Sequence, residues 1–390
     1  MISFDEAFQK VINSAFEIGA ENISLQSVLH RVLSEDVKAD RDMPPFRKSA
    51  VDGYACKKPQ TGQSLKLLEK VPAGESPTME IKPGTCTKVM TGAEVPPGTE
   101  WVVMVEHTSD GNEGLVKIDK PGTKSNIAEQ GEDFVRGDLV LSSGTFLRPQ
   151  HIAILATVGK SQVRVSKQPA VNIIPTGDEL VEPGVEPGKS QIRNSNASQL
   201  IAQLTEMGIN ANYSGIVKDT RRDLDDLLKS SLDDYHLTLL TGGVSMGDYD
   251  YVPEMMKQNG VEIIFHKIAM KPGKPTILGK KGNHLVIGLP GNPVSTFLQF
   301  ELLVKPLLYA LMGAVYNPIE WKLPVGEDIP SKPSSRDSWK PVEIKEGKIY
   351  PIGYHGSGHL HALNKAQGFI CIPAGNKGFQ KGEMVDVRQI

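Results

Sequence analysis

The chain has 390 residues, which at about 150 residues per domain suggests more than one domain. Its 43 Lys and Arg against 46 Asp and Glu give a net charge of −3. That excludes a strongly basic surface and removes the electrostatic support for bulk nucleic-acid binding, so any anion site must be a local concentration of positive groups. Gly (38) and Pro (27) exceed their usual shares of about 7% and 5% and are scattered among apolar segments, which reads as many tight turns. Cys56, Cys86 and Cys371 form no CxxC pair and suit a reducing compartment. The N-terminus carries Asp5 and Glu6 where a signal peptide has its positive region, and no run of 18 apolar residues appears. The expectation is a soluble cytoplasmic protein with no membrane and no nucleic acid among its partners.

Ser3 and Glu6 have capping-box spacing, and Phe8, Val11, Ile12, Ala15 and Phe16 recur at helical spacing, with Gly19 as a stop. From about 40 to 150, short β-rich pieces (KLLEKV, CTKVM, WVVMVEH, LVKID) are separated by PAGES, KPGT, VPPGTE and SDGNEG, which predicts a small, mostly β module. HIAILATVG reads as a short buried helix and QVRVS as a strand. Over 171–312 strands alternate with helices: VNII, YSGIV, HLTLL, VEIIFH and HLVIGL against NASQLIAQLTEMG, TRRDLDDLLKSSL, VPEMMKQNG and a long helix from about Pro293 to Met312. Asn196 and Thr220 are the expected N-caps, and Pro293 suits a first helical position. This alternation predicts a mostly parallel, two-sided α/β sheet. The last 75 residues return to short strands (KEGKI, LHAL, GFICIP, KGEMVDV), which predicts a small β barrel or sandwich.

In an open α/β sheet, ligands bind beyond the carboxyl ends of the strands. Three loops there are rich in small residues: PTGDEL (175–180), TGGVSMGDYD (241–250) and PGNPVS (290–295). Gly242 and Gly243 can present N–H groups to an anion. Glu179, Asp219, Asp248 and Asp250 all follow predicted strands. Converging carboxylates repel unless a cation joins them, and a hard divalent cation, Mg²⁺ by preference, is the natural partner. KIAMKPGKP holds Lys267, Lys271 and Lys274 on a segment stiffened by Pro272, Gly273 and Pro275, which suits phosphate or another oxyanion. Together these groups point to metal-assisted phosphoryl or nucleotidyl chemistry. Asp52-Gly53 in SAVDGYA and Thr91-Gly92 in VMTGAEVPPG are either further site loops or ordinary turns. His359-x-His361 would face one way on a strand, with His355 across a Gly-Ser-Gly turn, but a polar surface role outweighs a transition-metal site. Ser357, between two glycines, is the better anion contact. Nucleophilic catalysis of the Ser/His/Asp or Cys/His kind is unsupported, and no P-loop occurs.

SAVDGYA, MTGAEVPPG, IIPTGDELV, IRNSN, LLTGGVSMGDYDYV, KPGKP and GLPGNPVSTF, in that order, resemble the MoeA family of molybdopterin molybdenumtransferases. The resemblance runs from about residue 3 to the C-terminal barrel and is loosest over the last 75 residues. It implies a multidomain α/β plus β protein, with a central MogA-like α/β domain of the molybdenum-cofactor-biosynthesis fold, a β-rich module and a C-terminal β-barrel. The implied divisions are 1–45 with 139–170, 46–138, 171–315 and 316–390. It implies a homodimer with its active site at the dimer interface. The implied reaction takes adenylylated molybdopterin and molybdate and, with Mg²⁺, inserts molybdenum into the dithiolene and releases AMP. The implied partners are a molybdopterin adenylyltransferase upstream and molybdoenzyme apoproteins or their chaperones downstream.

Carried over residue by residue, Asp52, Glu179, Asp219 and Asp250 match the family's functional acids, Asp219 and Asp250 as metal ligands. Thr91, Gly242, Gly243 and Ser245 match substrate-binding positions. Lys271, Lys274 and Ser295 match positions expected to hold molybdate and phosphate, in a loop shaped by Pro290 and Pro293, with Arg336 and Ser357 from the barrel. The chain departs from the pattern at RDSWKPV, where Lys340-Pro341 stands in place of a second Arg after the aromatic. Two other readings of the same residues are a pyrophosphatase acting on a nucleotide sugar or dinucleotide, which the extra β module and barrel disfavour, and a non-catalytic scaffold, which the full set of acids disfavours.

Overall fold

Ser3 caps the first helix, Phe4–Asn13, in the computed structural model, which describes residues 1–244, 251–354 and 356–390. The Glu6 N–H donates to Ser3 Oγ at 3.1 Å and the Ser3 N–H to Glu6 Oε2 at 3.0 Å, closing the capping box that the spacing predicts. The helix ends earlier than Gly19, because Ser14 turns its hydroxyl back onto the Lys10 carbonyl at 2.6 Å. Gly19, at φ +84°, instead swings the chain into a strand, Ala20–Ser24, antiparallel to Gln162–Ser166. The chain forms two compact units: Met1–Glu35, Gly144–Arg148 and Gln162–Ile390 in one, Asp36–Ser143 and Pro149–Ser161 in the other.

The first unit is built on a six-stranded sheet in the order Asn212–Tyr213, Val171–Pro175, Leu237–Thr241, His284–Leu289, Ile277–Lys281, Glu262–His266. The first four strands pair in parallel, and Ile277–Lys281 pairs antiparallel with both of its neighbours. Val171–Pro175, Leu237–Thr241 and His284–Leu289 are buried at every residue. Their side chains alternate between two cores: Ile173, Leu239 and Ile287 face one, Ile174, Leu240 and Val286 the other. That is why they read as continuous apolar runs. Thr220 caps Arg221–Asp234 as expected, with Asp223 N at 3.2 Å from its hydroxyl. The cap of Ser195–Glu206 is Asn194 and not Asn196: Asn194 Oδ1 accepts from the Ala197 N–H at 3.2 Å, while Asn196 Nδ2 donates to the Gly291 carbonyl at 2.8 Å.

Pro293 opens the long helix, but it is not α-helical throughout. A π-helical stretch, Phe300–Val304, separates Pro293–Gln299 from Lys305–Leu311. Pro306 lacks the N–H that an α ladder would use, so the hydrogen bonding shifts register there. This run is apolar and long enough to cross a membrane, yet 83% of its most apolar window is buried, which makes it a core helix.

The C-terminal strands close into a barrel. Asp337–Lys345 pairs with Gly368–Ile372 and Lys348–Pro351; Gly368–Ile372 continues through Met384–Gln389 to Glu320–Pro324; a Val325–Ile349 bridge joins the ends. LHAL is not a strand. Leu360–Lys365 is a 3₁₀ helix, since four residues of alternation fit a tight helix as well as a strand. In the second unit, Gly53–Cys56, Ser64–Val71, Thr85–Val89, Trp101–Met104, Thr108–Asp110 and Leu115–Ile118 form one sheet, as the β-rich pieces predict. Pro149–Thr157 is a helix, but only Leu155 in it is buried, so it is not the buried helix its apolar composition predicts.

Candidate functional site at the carboxyl edge of the parallel strands

Three loops meet where three neighbouring parallel strands end. Thr176 donates its N–H to the Thr241 carbonyl at 2.8 Å, and Gly242 donates to Leu289 O at 3.2 Å. Gly242 needs to be glycine: its φ is +92°, and a Cβ there would lie 2.4 Å from the Thr176 carbonyl oxygen. A Cβ on Gly291 would sit 3.8 Å from the Gly242 Cα. The TGDE, TGG and LPGNP segments therefore lie against one another through backbone. Thr176 Oγ1 is buried beside Gly242 and Gly243 with no hydrogen-bond partner among the described residues.

Of the expected acids, Glu179 is exposed, with its carboxylate against the Gly177 α-carbon. Asp219 is half-buried, and its N–H reaches Asp178 Oδ1 at 3.4 Å. The expected Ser245, Asp248 and Asp250, and His355 in the barrel, lie outside the described residues. Among the described residues no three His, Cys, Asp or Glu side chains group as a metal site. The acids at this edge, Asp178, Glu179 and Asp219, are all oxygen donors, which suits a hard cation and not a thiophilic one.

The KPGKP turn is rigid and cationic. Pro272 and Gly273 are buried, while Lys271 and Lys274 are exposed. Gly273, at φ +109°, has its carbonyl held by Thr276 Oγ1 at 2.8 Å and by Gln299 Nε2 at 3.2 Å. Met270–Lys271 pairs parallel with Asp337–Ser338 of the barrel, so the turn is fixed on both sides. Lys267 is used differently: its carbonyl accepts from the Ile2 N–H at 3.3 Å.

The barrel reaches the same edge. Asn292 Nδ2 donates to Ser357 Oγ at 2.8 Å, and the Val294 N–H donates to the Ser357 carbonyl at 3.1 Å. Pro290 is held by Thr296, whose hydroxyl donates to its carbonyl at 2.5 Å. Pro293 is the first helical residue, and Ser295, within the first turn, is buried. Beside Lys271 the barrel opens a cleft of about 320 Å³. Arg336 is not among its lining residues, whereas Lys340 is. His359 precedes the 3₁₀ helix and His361 lies within it, so the shared strand face expected of the pair does not exist. The sequence does not single out Asn292 and Gln299, and it marks Asn196 only as a cap and Lys340 only as a departure from the family pattern. The first three act as neutral amides at long range, which no local pattern announces.

In the second unit, Asp52 and Thr91 meet. Asp52 Oδ1 accepts from the Thr91 N–H at 2.6 Å and from its hydroxyl at 2.8 Å. The backbone bond from Thr91, then its hydroxyl, hold the Asp52 carboxyl below the usual range. Asp52 is thus ionised and aimed by Thr91. The two segments singled out from the sequence as SAVDGYA and VMTGAEVPPG are one feature.

A site at the carboxyl edge of a parallel sheet places this chain among α/β proteins that bind a ligand there, here with a barrel appended. Family models match almost the whole chain: the MoeA N-terminal region (domain I and II) over residues 2–159, the probable molybdopterin binding domain over 172–310, and the MoeA C-terminal region (domain IV) over 322–390. A molybdopterin molybdenumtransferase of Bacillus subtilis (strain 168) is 34% identical, over 99% of this chain and 93% of its own length. One of Staphylococcus epidermidis is 35% identical, over 99% and 95%. The crystal structure of the molybdopterin biosynthesis moeA protein from Pyrococcus horikoshii OT3 superposes with a TM-score of 0.85 at 30% identity, covering all of both chains. The chain belongs to the MoeA family of molybdopterin molybdenumtransferases.

Proposed function

We propose that this chain inserts molybdenum from molybdate into adenylylated molybdopterin and releases AMP, completing the molybdenum cofactor in the cytoplasm. The observation that supports this most is the meeting of three small-residue loops at the sheet edge, one of them bonded to the Ser357 turn of the barrel, next to which Lys271 of the KPGKP turn and Gly356 line a cleft. The Gly242 and Gly243 backbone takes the phosphate end of the substrate, and Ser245 is assigned to the same group. Lys271 and Lys274 hold the oxyanion, with Ser295 and Ser357 as hydroxyl donors. Asp52, Glu179, Asp219 and Asp250 are the working acids, and Arg336 is an outer barrel contact.

Asp219 and Asp250 would hold Mg²⁺, with oxygen ligands only. When bound, Mg²⁺ offsets charge on the phosphate oxygens of the leaving AMP. The protein's own groups orient the pterin and keep molybdate beside its dithiolene. The substrate comes from a molybdopterin adenylyltransferase, and the product passes to molybdoenzyme apoproteins or their chaperones. The four-part division at 1–45 with 139–170, 46–138, 171–315 and 316–390 is part of the same reading.

Lys271→Ala and Lys274→Ala test the oxyanion assignment. Each is expected to raise the molybdate concentration for half-maximal AMP release by about tenfold, the worth of one charged hydrogen bond. Each should leave the half-saturating concentration of adenylylated pterin nearly unchanged. If the molybdate dependence is unchanged in both variants, the oxyanion is held elsewhere.

The working unit in this reading is a homodimer. In the helix Pro149–Thr157, Ile152 and Ile154 are only partly buried and Ala153 and Ala156 are exposed, which a second copy would cover in this reading. Asp52→Ala chains mixed with Asp250→Ala chains should regain some activity, because one site in the mixed dimer keeps both acids. A fully active monomer in sedimentation would contradict this.

The histidines are expected to be dispensable. His359→Gln with His361→Gln should leave turnover within a few-fold. Ser357→Ala should weaken molybdate binding several-fold, as for a lost hydrogen bond of about 1 kcal/mol. A stoichiometric transition metal that disappears from the double variant together with activity would overturn this assignment.

A further inference from the structure

The cleft beside the KPGKP turn is more cationic than the expected residues account for. It is lined by Lys271, Lys332 and Lys340 together with Ser331, Ser338 and Tyr354. Lys271 is in register with Ser338, and Ser338 and Lys340 share one strand face because side chains alternate. Trp339 points the other way, packing edge-on to Phe4 with ring centroids 5.8 Å apart. Lys340 is only half exposed, and its Nζ donates to the Pro330 carbonyl at 2.6 Å.

Burial, and then the like charge of Lys271, push the Lys340 ammonium below its ordinary value. Burial pushes the Tyr354 phenol up to about 12, which keeps it a hydroxyl donor. Two ammonium groups held together in a partly dry cleft repel, and a dianion between them reverses the sign of that interaction.

We propose that Lys340 is the barrel's cationic contact for a tetrahedral oxyanion dianion, acting with Lys271 in the cleft that both line. The proposal rests on the reading of this chain as a molybdate-using transferase, and it deepens that reading by naming a specificity-determining residue.

Equilibrium dialysis of the full-length protein with molybdate, and with sulfate as competitor, tests it. Lys340→Met is expected to raise the molybdate Kd by about tenfold or more, the scale of a charged hydrogen bond. Lys340→Arg should stay within a few-fold of the parent. Lys348→Met, which removes an exposed lysine of the same barrel, should have no effect beyond the small loss expected of a distant surface charge. Lys340→Gln, with thermal unfolding of every variant, separates lost binding from lost fold. A Kd unchanged in both Lys340→Met and Lys340→Gln, or equal losses in Lys340→Met and Lys348→Met, would overturn the proposal, as would absence of molybdate binding by the parent. Molybdate binding that depends on Lys340 without any AMP release from adenylylated molybdopterin would instead sink the reading of the reaction and leave this site standing.

Discussion

Asp219→Asn and Asp250→Asn are each expected to keep the fold and to lower Mg²⁺-dependent AMP release by about tenfold or more, some 1.4 kcal/mol of barrier. Asp219 follows the parallel strand Asn212–Tyr213 and lies by Asp178 at the carboxyl edge of the sheet, and Asp250 comes after Leu237–Thr241 in the sequence. Asn preserves the shape of each side chain and removes the charge that a hard cation needs. The adjoining helix Arg221–Asp234 should survive in Asp219→Asn, because Thr220 and not Asp219 provides its cap. The half-saturating Mg²⁺ concentration should rise together with the loss of rate. Turnover near that of the parent at limiting Mg²⁺ would remove the acid concerned from the metal site.

Gly273→Ala is expected to damage both stability and oxyanion use. The residue sits at φ +109°, and a Cβ there would lie 2.0 Å from Gln299 Nε2. Gln299 is fully buried under the turn and bonded to the Gly273 carbonyl, so it has little room to retreat. Strain of this kind costs about 1–3 kcal/mol. The melting temperature should fall by several degrees, and the half-saturating molybdate concentration should rise as Lys271 and Lys274 are displaced. Gly184→Ala, where nothing lies within 4 Å of the added Cβ, is the matched neutral change. A melting temperature and a molybdate dependence both unaltered in Gly273→Ala would show that the turn is not held by this contact.

The elements that were legible in the sequence are those whose pattern is set by burial. Val171–Pro175, Leu237–Thr241 and His284–Leu289 are apolar throughout because both faces are covered. The loop that ends Leu237–Thr241 is legible from its glycines, because Gly242 and Gly243 occupy backbone conformations other residues avoid. Ile277–Lys281 carries no strand signal of its own: it contains Gly279 and ends in two lysines, and its pairing with His284–Leu289 supplies what its own composition does not. The choice between Asn194 and Asn196 as cap depended on Gly291, a partner 95 residues away from Asn196. The same holds for the site. Asn292 and Ser357 are 65 residues apart, and Lys340 looked like a mere departure from a pattern until the strand pairing set it beside Lys271. Local signals identify residue types suited to the chemistry, but only tertiary pairing says which of them share a cleft.

The central claim is that molybdate is a substrate whose insertion is coupled to loss of AMP. Incubating the purified protein with adenylylated molybdopterin and Mg²⁺, with and without molybdate, and measuring AMP against molybdenum retained on the pterin tests it most directly. The account predicts AMP release that requires both Mg²⁺ and molybdate, with about one molybdenum inserted per AMP. AMP released at the same rate without molybdate would mark a pyrophosphatase, and no AMP under any condition would mark a protein that binds without turning over; either result would contradict the account.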